Sequence, residues 1–114
     1  MGGMRSRRKG AVGEREVAAL FREIVGEALV YRTPRSGGGV EKGDLSGDTL
    51  GLHVEVKRAE RLMLPAWTAQ AEGDCPEDKI PVVFYRSNGQ PWRVSMQAAH
   101  FLELLKEARC PSNL

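Results

Sequence analysis

The chain has 114 residues, 41% apolar and 28% charged, with a formal net charge of +2, which suits one compact domain with a real core and not two. No apolar run approaches the roughly 18 residues a membrane span needs, and the basic N-terminus lacks the apolar stretch of a secretory signal, which points to a cytosolic or nucleoid-associated protein. Cys75 and Cys110 lie far apart and outside any C-x-x-C pair; with two histidines at these spacings they make no zinc site and read as reduced thiols, so a bound metal is expected to be a hard cation on oxygen ligands.

Residues 1–9 are small, basic and without periodicity, and read as a flexible arm. A helix is predicted from about Val12 to Gly26, with Val17, Leu20, Phe21, Ile24, Val25 and Ala28 as its apolar stripe. Ala28 to Arg32 reads as a strand stopped by Thr33-Pro34. Arg35 to Gly43 holds four glycines and reads as a mobile loop. Asp44-Leu45-Ser46 is a short strand, Gly47-Asp48-Thr49 a turn, and Leu50 to Arg58 the next strand. Along it Leu52, Val54 and Val56 point one way and His53, Glu55 and Lys57 the other.

Leu64 to Glu72 is a short helix opened by Pro65. Ile80 to Tyr85 is a dense apolar strand suited to the centre of a sheet. The turn Ser87-Asn88-Gly89-Gln90 leads into a strand from Trp92 to Val94. Ser95 is expected to cap a last helix from Met96 to about Ala108, with Phe101, Leu102, Leu105 and Ala108 as its buried stripe. The order α-β-β-β-α-β-β-α predicts an α/β fold, a mixed central β-sheet flanked by helices, in one domain over residues 10–110 with a tail at 111–114.

Charge is uneven along the chain. Arg5, Arg7, Arg8 and Lys9 crowd the N-terminus, and Arg32, Arg35, Lys42, Lys57, Arg58 and Arg61 follow, whereas the acids Glu72, Asp74, Glu77, Asp78, Glu103 and Glu107 lie in the second half. A positive first half suits a phosphate-binding face; scattered surface charge is the bland alternative.

Asp44 leaves a glycine-rich loop, and Glu55 and Lys57, two apart on a strand, project from one face. A hairpin would bring Asp44 near Glu55, and two converging carboxylates repel unless a cation sits between them. Mg2+ wants such ligands, with water and phosphate completing its shell, and Lys57 beside it would orient water or neutralise phosphate charge. The alternative is a half-exposed strand with a charged outer face. Glu14 falls in line with Val17, Ala18, Phe21 and Val25, where a carboxylate needs a partner; Glu16 reads as a first-turn acid that favours the helix dipole and stays wet. Arg35-Ser36-Gly37-Gly38-Gly39, flanked by Arg32 and Lys42, would let backbone N–H groups approach a phosphate, or is a plain linker. His53 reads as a supporting or structural residue, His100 as exposed or partly packed, Gln70 as a cleft or surface residue, and Trp67 and Trp92 as buried or interfacial.

These pieces occur together in one order: Lys9-Gly10-x-x-x-Glu14-Arg15, Thr33-Pro34-Arg35-Ser36-Gly37-Gly38, Gly43-Asp44-Leu45 and His53-Val54-Glu55-Val56-Lys57. The set resembles the archaeal-type and phage-type Holliday junction resolvases of the PD-(D/E)xK nuclease superfamily, over about residues 8–72. The resemblance implies a restriction-endonuclease-like fold, Asp44 and Glu55 as metal acids with the Val56 carbonyl as a further ligand, Lys57 as catalytic lysine and Glu14 completing the site. It implies DNA contacts from Arg7, Arg8, Lys9, Arg15, Arg32, Arg35, Ser36, Lys42, Arg58 and Gln70. Gly43 stands where the usual Pro precedes the first acid.

The expected activity is Mg2+-dependent hydrolysis of DNA phosphodiesters, with Mn2+ substituting, by a cytoplasmic homodimer on branched DNA, with no membrane and no small-molecule cofactor. Resolvases of this kind place two active sites on symmetric strands of a four-way junction, and a phage gene fits that resemblance. Rival readings are a nicking, repair or restriction-type endonuclease, a non-catalytic DNA-binding module, and a scaffold protein with a chance motif.

Overall fold

A computed structural model describes residues 3–27, 29–34 and 43–109, with side chains from Arg8 onward. The elements run α1 (Gly3–Val25), β1 (Val30–Arg32), β2 (Leu45–Gly47), β3 (Leu52–Arg58), α2 (Leu64–Asp74), β4 (Ile80–Arg86), β5 (Arg93–Ser95) and α3 (Ala98–Arg109). This is the expected mixed α/β order, with a three-stranded mixed sheet, β3-β4-β5, between helices. β3 and β4 are parallel, joined through α2, and β4 and β5 are antiparallel. The turn between them closes with Gln90 N–H donating to Ser87 O at 3.1 Å. β4 is central, and Pro81, Val82 and Val83 are buried along it, as a strand covered on both faces requires.

The sheet is not the single unit the sequence suggests. β1 and β2 form a separate antiparallel hairpin that meets the edge of β3, where Asp44 N–H donates to Val54 O at 2.8 Å. Three residues per strand are too few to carry a ladder further.

One face of the sheet packs on α1. Val17, Ala18 and Phe21 meet Val54, Val56 and Val82, with Val30 and Leu45 of the hairpin closing the core. Phe21 and Phe84 stack tilted, centroids 5.5 Å apart, the arrangement ring quadrupoles favour. Gly13 permits this approach: a Cβ there would lie 2.6 Å from Arg58 Cγ and 3.4 Å from Val56 Cγ1. The helix stops at Gly26, φ +100°, whose N–H donates to Arg22 O, a left-handed end that glycine makes cheap. The other sheet face carries α2 through Ala71, which is buried, and Trp67, whose ring meets Tyr85.

Four expectations about the helices change. α1 begins at Gly3, well before Val12, because arginine and lysine are good helix formers even where no apolar stripe marks them. Its buried stripe is Glu14, Val17, Ala18 and Phe21; Leu20 and Ile24 are exposed. α3 begins at Ala98 and not Met96, since Ser95 is taken up in the ladder opposite Val83. Its supposed buried stripe faces outward: Phe101, Leu102 and Leu105 are 50%, 60% and 49% exposed, and Ala108 is exposed too. Periodicity marks a helix face as apolar without saying what covers it.

Burial pushes the Cys75 thiol up, with the Asp78 charge adding and Lys79 opposing. Its Sγ–H donates to the carbonyls of Pro76 and Lys79, both at 3.2 Å, so it stays a structural thiol.

Candidate active site

β3 supplies the floor of the site. His53, Glu55 and Lys57 alternate onto the face that α2 covers. Glu55 is 4% exposed, and among the described residues its carboxylate has one hydrogen-bond partner, His53 Nε2, 3.1 Å from Oε2. His53 is itself fully buried beside Gly43, where a Cβ would press on the imidazole at 3.1 Å. The ring thus fixes Glu55 from one side.

Asp44 is fastened to β3 on both sides of Glu55. Its backbone N–H donates to Val54 O, and its Oδ2 accepts the Val56 N–H at 2.6 Å. Thr33 N–H donates to Asp44 O at 3.0 Å, and the Thr33 and Ser46 hydroxyls bond at 2.8 Å beneath. The hairpin therefore sets Asp44, 8% exposed, abreast of Glu55. Lys57 follows on the same face, its Nζ donating to Gln70 Oε1 at 3.0 Å, which sets the helix glutamine beside the lysine.

Two buried carboxylates set abreast bring like charges together, and a divalent cation between them relieves that repulsion. Asp44 and Glu55 fit a hard divalent cation, which takes carboxylate oxygens and fills the rest of its shell with water and phosphate. Among the described residues no three His, Cys, Asp or Glu side chains gather to hold a metal. Glu14 is buried as its place in the stripe requires, and its Oε1 accepts from Arg32 Nε at 2.9 Å; it joins no such cluster with the other two acids.

The expected DNA-contacting residues divide. Arg8 and Arg15 are exposed on α1, and Lys9 lies 3.5 Å from Glu60. Arg32 is engaged by Glu14. Arg58 has a side chain only 9% exposed; its Nη2 donates to Asn88 Oδ1 at 2.8 Å, and its Nη1 lies 3.9 Å from Glu16. It braces the fold and presents little to a phosphate. Arg35, Ser36, Lys42 and the Arg7 side chain lie outside the described residues.

Glu16 is the residue that sequence reasoning misread. It is no first-turn acid. Its Oε1 accepts from both Arg86 Nη1, at 2.9 Å, and Trp92 Nε1, at 3.0 Å, and Arg86 lies over the Trp92 ring. This cluster ties α1 to the far strands. Its partners are some 70 residues on, and no local pattern announces them.

A family model described as "Phage putative PDDEXK endonuclease" matches residues 5–112 of the chain. No curated protein and no solved structure matches it.

Proposed function

The chain belongs to that PDDEXK endonuclease family, and on this premise we propose that it hydrolyses phosphodiesters of branched DNA, resolving four-way junctions by paired nicks with Mg2+. Nuclease chemistry and a divalent metal follow from the family, whose superfamily is generally metal-dependent. The observation that carries the site assignment is the double fastening of Asp44 to β3 on either side of Glu55, with Lys57 next on the same face.

In this reading Asp44 and Glu55 hold the ion, with the Val56 carbonyl as a further oxygen. The ion's contribution when bound is charge neutralisation at the phosphate and activation of water. His53 keeps the Glu55 carboxylate in one orientation, as partners of metal ligands do. Gln70 holds the Lys57 ammonium toward the cleft, where it donates to a phosphate oxygen as negative charge builds in the transition state. Glu14, through Arg32, braces β1 and shapes the field around Asp44. Arg8, Lys9 and Arg15 on α1 supply sequence-independent contacts to backbone phosphates, joined by Arg7, Arg35, Ser36 and Lys42.

A two-fold junction pairs with a two-fold dimer, and the exposed apolar stripe of α3 is a surface for a second copy. Phe101, Leu102 and Leu105 line one side of a helix that buries none of its own residues. A chain with Leu102→Glu and Leu105→Glu is expected to sediment as a monomer and to keep the wild-type circular dichroism spectrum, since both positions are exposed in the single chain. A wild-type protein that is monomeric at tens of micromolar would remove the dimer from this reading.

The test of substrate is cleavage of an end-labelled four-way junction with Mg2+, mapped on a denaturing gel beside duplex, nicked and flapped DNA of the same sequence. Symmetric paired nicks, favoured at least about tenfold over duplex, are expected. Equal cutting of duplex would leave the nuclease and discard the junction preference.

A further inference from the structure

Lys57 is not the last cation on its face of the sheet. Residues directly opposite in a ladder point to the same side, and the registers run Lys57 to Tyr85 and Tyr85 to Arg93. The three therefore form a row across β3, β4 and β5. With strands about 4.8 Å apart, Arg93 stands roughly 10 Å from the Lys57 position. An open groove of about 510 Å³ begins there, lined by Tyr85, Arg86, Ser87, Gln90 and Arg93 among others. It lies beyond the carboxyl ends of the parallel strands β3 and β4, where open α/β sheets receive ligands.

Two features give the groove a sign. No acidic residue lines it. Arg32, Arg58 and Arg86 each have a carboxylate within 4 Å, whereas Arg93 is exposed and has no hydrogen bond or ion pair among the described residues. The guanidinium is thus an uncompensated, forked donor at the mouth of a groove that also offers the polar side chains of Ser87 and Gln90. That donor set matches a phosphodiester.

We propose that this groove binds a backbone phosphate of the nucleic-acid strand leaving the active site, with Arg93 as its principal donor and Tyr85 as the wall between it and Lys57. The groove would fix the direction in which the strand crosses the sheet, from Lys57 toward β5. The assignment rests on the nuclease reading above, and the experiment separates the two.

Binding of fluorescent four-way junction and single-stranded DNA is measured by anisotropy in EDTA, where nothing is cut, over a series of salt concentrations. The proteins are wild type, Arg93→Glu, Arg93→Lys and, as a control of equal charge change away from the groove, Arg109→Glu. Arg93→Glu is expected to weaken binding about tenfold or more at ~0.1 M salt and to flatten the log–log salt slope by about one phosphate contact. Arg93→Lys should stay within about threefold, and Arg109→Glu likewise. A neutral methylphosphonate placed next to the cleaved linkage should weaken wild type but add nothing to Arg93→Glu. Equal losses for Arg93→Glu and Arg109→Glu, or additive losses with the methylphosphonate, would overturn the groove and leave the nuclease standing. A wild-type protein that binds neither DNA would overturn both.

Discussion

Asp44→Asn and Lys57→Ala proteins are expected to bind DNA much as wild type does and to cut it at least about 1000-fold more slowly. The two losses have different causes, and a metal titration separates them. An asparagine at 44 still offers an oxygen to the Val56 N–H, and its own backbone N–H still donates to Val54 O. The junction between hairpin and β3 therefore survives while the negative charge goes, so the Mg2+ concentration for half-maximal rate should rise. Lys57 holds no ion. Its Nζ touches Gln70, and truncation removes a positive charge from the developing phosphate without altering metal demand. Single-turnover cleavage at increasing Mg2+ gives both numbers. Asp44→Asn cutting within tenfold of wild type would sink the assignment of Asp44 as a metal acid; a shifted metal requirement in Lys57→Ala would place that lysine in metal binding instead.

Much of the candidate site was legible because its arrangement is written at short range. Strand alternation places His53, Glu55 and Lys57 together whatever surrounds them, and a glycine-rich segment ending in Asp44 marks the entry of the second acid. Glu14 stood out as the one carboxylate in an apolar stripe, and it is buried. What stayed hidden depends on distance in sequence or on another surface. Glu16 meets Arg86 and Trp92, which the chain brings back only through β4 and β5, so its wheel position suggested a wet residue. Phe101, Leu102 and Leu105 repeat like core residues, but repetition cannot tell a core from a docking face. The stub hairpin β1-β2 reads in sequence like any pair of strands; that Asp44 stitches it to β3 through its own N–H and its carboxylate follows from tertiary geometry.

The largest loss of stability from adding one methyl group is expected at Gly47. This residue closes the β1-β2 hairpin opposite Val30 with φ +91°, and a Cβ there would collide with the Leu29 carbonyl oxygen. That carbonyl is not free to retreat, because it accepts the Asp48 N–H at 2.6 Å. Gly47→Ala therefore combines the left-handed backbone cost of about 1–2 kcal/mol with displacement of a hydrogen-bonded peptide, for a total of about 3 kcal/mol. In a domain of this size that lowers the melting temperature on the order of 10 °C. Gly89 provides the control: its φ is +74°, yet nothing lies within 4 Å of its added Cβ, so Gly89→Ala should cost only about 1 kcal/mol. Because β2 starts at Leu45, directly after Asp44, strain at Gly47 reaches Asp44 along this short strand. Gly47→Ala should lose cleavage even below its melting temperature, whereas Gly89→Ala should not. Equal melting temperatures for the two variants would show that the hairpin is not clamped at Leu29.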